Sequence, residues 1–192
     1  MKALKLTGLL AFIIMSSFSS CELLWYHNEQ KLKVYNLALS FQDASGNNLV
    51  KGIGLSSWCC GTDIPAEQAQ SGIVERDLYA LDIMTPCKKR PIAPGRYDDP
   101  AIGMLKYNDS YFLTFDYAHL EDECPAIEEI TFQLKCPYVF GDDEKHEIIT
   151  FWKADNSETG MVCYRIEFGD KVITEIVNEF NDLNRATILL ER

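Results

Sequence analysis

Histidine is scarce in this 192-residue chain, which carries only His27, His119 and His146. That side chain does most general acid–base work and is a common zinc ligand, so few places can host such chemistry. No Gly-x-Ser-x-Gly elbow, Gly-Lys-Ser/Thr phosphate loop or Gly-x-Gly-x-x-Gly turn occurs. These gaps remove the usual signatures of serine hydrolysis and of nucleotide and dinucleotide binding. His146-Glu147-Ile148-Ile149-Thr150 opens like a zincin helix, but Thr150 stands where the second histidine belongs and the composition is that of a strand, which excludes a metalloprotease. Cations are outnumbered, with 18 Lys and Arg against 29 Asp and Glu and a formal net charge of −11. Such a surface repels phosphate, so neither nucleic acid nor an anionic membrane face is an expected partner. Long apolar runs are missing as well. The stretch Leu6 to Met15 is broken by Thr7 and Gly8, and a spanning helix needs roughly 20 apolar residues.

That short stretch follows Lys2 and Lys5 and precedes Ser16, Ser17, Ser19, Ser20 and Cys21. A positive start, an apolar middle and small residues before a cut make a secretory leader. Phe18-Ser19-Ser20-Cys21 resembles the lipobox of bacterial lipoproteins, with Phe18 where that motif usually has Leu. The resemblance implies that residues 1–20 are a signal peptide, that Cys21 is acylated and becomes the mature N-terminus, and that residues 21–31 are a short tether. Several acyl chains, of palmitate length or similar, would anchor the protein durably, because each buried methylene contributes roughly 0.8 kcal/mol. The alternatives are an ordinary secretory signal cut near Ser20 or an uncleaved anchor. Surface-displayed relatives of this kind often carry an acidic run after the cysteine, whereas Glu22-Leu23-Leu24-Trp25-Tyr26 does not. The resemblance therefore implies an outer-membrane anchor facing the periplasm.

Six further cysteines remain: Cys59, Cys60, Cys87, Cys124, Cys136 and Cys163. In an oxidising compartment an even set is a candidate disulfide framework. Cys124 and Cys136 bracket a strand too long for them to bridge. The expected pairing joins Cys136 with Cys163 and ties Cys59 and Cys60 to Cys87 and Cys124. In Val162 to Phe168, however, Cys163 alternates onto the polar face, so a same-face bridge would require a bulge or a bend at Pro137. Paired Cys-x-x-Cys spacing is absent, so no metal site and no cofactor are expected.

The rest of the chain reads as strands. Tyr35, Leu37, Leu39 and Phe41 alternate with polar or small residues, and Asp43 to Asn48 turns the chain into a second strand over Leu49 to Leu55. Further strands are expected at Asp77 to Met84, Ile102 to Tyr107, Tyr111 to Tyr117, Glu129 to Cys136, Met161 to Phe168, Lys171 to Val177 and Ala186 to Leu190. His146 to Lys153 is apolar on both faces, which places it in the middle of a sheet. Gly169-Asp170 reads as a tight hairpin and Asn178 to Asn184 as a short helical turn. Thr85 to Pro100, with four prolines, must be an irregular loop. The fold class is all-β, an antiparallel β-sandwich of nine to ten strands, Ig-like or transthyretin-like and disulfide-capable, formed by residues 32–192 as one domain.

Two resemblances bear on this reading. Leu39 to Ile53, with its Asp43-x-x-Gly46-Asn47 turn, looks like the opening hairpin of carboxypeptidase-regulatory-like and transthyretin-like modules. Phe132 to Asp143, His146 to Trp152 and Cys163 to Phe168 look like small envelope lipoproteins of the Bacteroidetes type. The second likeness implies an address and a sandwich fold, and no activity.

Three function classes follow. The first is a non-catalytic binding or assembly module with an envelope protein or glycan partner, reaching the membrane through its lipid anchor. The second is a carbohydrate-binding accessory protein stacking sugars on exposed rings, with Trp58 and a tyrosine as its platform. The third is a hydrolase in which His146 or His119 converges with carboxylates in a concave pocket. His119 lies beside Glu121-Asp122-Glu123 and His146 beside Asp142-Asp143-Glu144, where calcium is a further candidate ligand, although the EF-hand spacing is not matched. Plain surface histidines and solvated acidic loops are the simpler expectation for both clusters.

Overall fold

The strict alternation from Tyr35 to Phe41 becomes β1 (Leu32–Gln42), whose Tyr35, Leu37, Leu39 and Phe41 are fully buried. The structure is a computed structural model that describes residues 32–56, 71–86, 100–120, 126–154, 160–179 and 183–191. Among these, β1 is followed by β2 (Leu55–Ser56), β3 (Ser71–Val74), β4 (Ala80–Met84), β5 (Gly103–Tyr107) and β6 (Ser110–Leu120). Then come β7 (Glu129–Lys135), β8 (His146–Ala154), β9 (Met161–Phe168), β10 (Lys171–Ile173), β11 (Val177–Glu179) and β12 (Leu183–Leu189). They form a seven-stranded sheet in the order β11-β12-β1-β6-β5-β3-β2 and a five-stranded sheet in the order β10-β9-β8-β7-β4. The fold is the expected all-β sandwich, with one departure from antiparallel pairing: β1 and β12 run parallel, Asn36 opposite Leu183 through Gln42 opposite Leu189.

β8 lies at the centre of its sheet, as its two apolar faces require. Its core face carries Ile148, Thr150 and Trp152, all buried. The Thr150 hydroxyl donates to the Ile130 carbonyl at 2.8 Å and accepts from Trp152 Nε1 at 2.7 Å, so two polar groups are satisfied inside the core. The expected Gly169-Asp170 hairpin forms, and a second tight turn joins β5 to β6. Gly169 takes a positive φ, and Asn108 and Asp109 both do (48° and 62°), as a type I′ turn requires.

Several elements differ from expectation. Leu49 to Gly54 is not a strand, because Asn48 redirects it: Asn48 Oδ1 accepts from the N–H groups of Val50 and Lys51, while Nδ2 donates to Ser40 Oγ and the Tyr111 carbonyl. Those local bonds replace a ladder, and Val50 and Ile53 still reach the core. Arg76–Leu78 is a 3₁₀ turn, so the strand expected from Asp77 starts only at Ala80. β3 was not anticipated, nor was the four-residue helix α1 (Pro137–Phe140), which starts on Pro137 and is closed by left-handed Gly141. Val177–Glu179 is a strand rather than the start of a helical turn, and Lys171 to Val177 is two strands, not one.

The Cys136–Cys163 pairing is corrected. Both cysteines are buried and no disulfide joins them. Leu134, two residues before Cys136, faces His146, whereas Cys163 faces Trp152, six residues further along β8. At about 3.3 Å per residue this separates them by roughly 20 Å, far beyond disulfide reach. A bulge does occur: the β8–β9 register shifts between Phe151 and Trp152, so that Arg165 and Cys163 are successive partners and Tyr164 is the extra residue. It turns Cys163 into the core without bringing it to Cys136. Cys21, Cys59, Cys60, Cys87 and Cys124 lie outside the described residues.

Candidate functional site

One corner of the sandwich gathers the features that can meet a ligand. It is built where β7 ends, α1 closes on Gly141, and β8 begins at His146. The i,i+4 spacing brings His146 Nε2 to 2.9 Å from Asp142 Oδ1. The same oxygen accepts the Glu144 N–H, which shapes the loop between them. The imidazole is packed against the Phe140 ring at 4.0 Å, and Phe168 at the end of β9 lies 5.9 Å away. Shallow concavities of about 240 Å³ and 440 Å³ flank this histidine.

Among the described residues, their lining carries no Ser, Thr or Cys. A histidine–carboxylate pair with no hydroxyl or thiol beside it lacks the nucleophile of an acyl-transfer site. The acids of the loop also diverge: Asp142 turns to His146, whereas Asp143 reaches Lys135 at 3.0 Å. Among the described residues no three His, Cys, Asp or Glu side chains come together as a metal site.

His119 is not the surface histidine expected. It is 3% exposed on the core face of β6, stacked on Tyr35 at 5.5 Å and tilted against Tyr117 at 6.0 Å. Glu121, Asp122 and Glu123 lie outside the described residues, as do Trp58, Trp25 and His27. Trp152 is a core residue, 1% exposed, set edge-on to Tyr35. The thiol of Cys163 is pushed up to about 12 by burial, so it is not a nucleophile at neutral pH.

Beside the His146 corner lies a larger cleft of about 560 Å³ between β10, the linker after it, and β12. Sequence reading missed it, since it arises from a break in a segment that looked like one strand. Thr187 and Leu189 of β12 line one wall with Arg185, and Lys171 to Glu175 line the other. The guanidinium of Arg185 lies over the Tyr107 ring at 4.2 Å and over Phe112 at 5.6 Å, which fixes a cation at one end of the cleft. At the other end, Lys171 Nζ donates to the Leu189 carbonyl at 2.8 Å and pairs with Glu191 at 3.1 Å. Val172, Val177 and Leu189 are each more than half exposed. The cleft thus offers apolar contact beside Arg185 and the Lys171–Glu191 ion pair. No family model, no curated protein and no solved structure matches this chain.

Proposed function

We propose that this chain is a lipid-anchored, non-catalytic binding or assembly module of a bacterial envelope, acylated on Cys21. The observation that carries the binding half of this reading is the open cleft between β10 and β12, with exposed Val172, Val177 and Leu189 beside Lys171 and Arg185. Its volume is within the range of ligand sites, and its side chains suit recognition rather than bond making. The leader ending at Ser19-Ser20-Cys21 supports the address. A sandwich held close to a membrane by a short tether would present such a cleft to envelope components.

The test compares wild type with Cys21→Ser in a diderm bacterial host. Mass spectrometry of the mature N-terminus should find an acylated Cys21, and crosslinking in intact cells should recover specific envelope partners that are lost when the variant leaves the membrane. An unmodified Cys21 would overturn the address. Identical, non-specific recovery from both proteins would overturn the binding role.

A further inference from the structure

We draw no further inference here: the strongest candidate, the cleft between β10 and the second half of β12, is the site already described, its Lys171 is paired with Glu191 and bonded to the Leu189 carbonyl, and nothing in the structure shows what covers it.

Discussion

The side-chain carbonyl of Asn184 accepts the backbone N–H of Cys163 at 2.9 Å and so ties β12 of one sheet to β9 of the other. Its Nδ2 donates to the carbonyls of Asn36 and Met161, each at 3.1 Å. One fully buried amide therefore links three strands at the corner where β1, β9 and β12 meet. An isolated parallel bridge between Val34 and Gly160 lies at the same corner. Asn184→Ala should cost about 3 kcal/mol, because it orphans a buried donor and two acceptors whose desolvation is no longer offset. Asn184→Asp should cost at least as much at pH 7, where it sets a carboxylate against two carbonyls, and less in acid. Chemical denaturation midpoints of both variants at pH 4.5 and pH 7 would check this, and a neutral effect of Asn184→Ala would refute the role of the amide.

Burial of Cys163 makes its thiol both inert and a source of alkaline sensitivity. Its pKa is pushed up to about 12 by desolvation, from an ordinary 9.0, which outweighs the lowering effect of backbone hydrogen bonds at Arg165 and Phe151. The folded state therefore holds the proton more tightly than the unfolded state. Stability from this group is complete below pH 9 and is lost as pH rises toward 12. In native protein at pH 8, Cys163 should resist alkylation for as long as the fold persists, and Cys163→Ala should flatten the fall in stability between pH 9 and 11. Peptide mapping after timed iodoacetamide treatment tests the first outcome, and urea titrations across that range test the second.

What the sequence displays and what it hides follow from the range of the forces involved. β1 and β7 were legible because one face of each meets the core, so burial is written as strict alternation. The parallel pairing of β1 with β12 was not, since strand partners are chosen across the whole chain and leave no local mark. Asn48 shows how one side chain can cancel a strand whose composition otherwise fits. Alternation in β9 placed Cys163 on the polar face, and the bulge at Tyr164 reversed it. His146 and Asp142 could be paired from their spacing alone, but the burial of His119 depends on how Tyr35 and Tyr117 pack around it. The cleft was least legible of all. It exists because Lys171 to Val177 breaks into two strands in different sheets, and nothing in the apolar pattern of Val172, Ile173, Ile176 and Val177 marks the crossing.

Asp116 offers a second pH-dependent effect, of opposite use to the engineer. It faces Asn36 across the β1–β6 ladder, and burial pushes its carboxyl above the ordinary value of 3.8. The folded state again holds the proton longer than the unfolded state. This group therefore favours folding most at low pH, and that advantage is lost as pH rises through its folded pKa. Asp116→Asn should accordingly raise stability relative to wild type at pH 7, and the gain should shrink toward zero near pH 3. The difference between the two proteins in thermal denaturation, followed over that range, isolates this residue from general acid unfolding. A constant difference would show that titration of Asp116 plays no part.

Tyr138 and Gly52 allow a sharper measurement, because a clash and a hydrogen bond share one atom. The Tyr138 hydroxyl donates to the Lys51 carbonyl at 2.7 Å, holding α1 to the turn after Asn48. Gly52 has φ +87°, and a Cβ built there would lie 2.9 Å from that hydroxyl oxygen. Gly46 has a similar φ of +82° with nothing within 4 Å of its Cβ position. Gly46→Ala should thus report the left-handed backbone cost alone, about 1–2 kcal/mol. Gly52→Ala should cost about 1 kcal/mol more, since the hydroxyl must also move off the carbonyl. Tyr138→Phe removes the atom in conflict. In the double variant Gly52→Ala/Tyr138→Phe the two costs should sum to less than their separate values, with a coupling of about 1 kcal/mol in a double-mutant cycle. Strict additivity would mean that the hydroxyl and the glycine do not meet in solution, and that α1 is held to the turn by its buried Val139 and Phe140 instead.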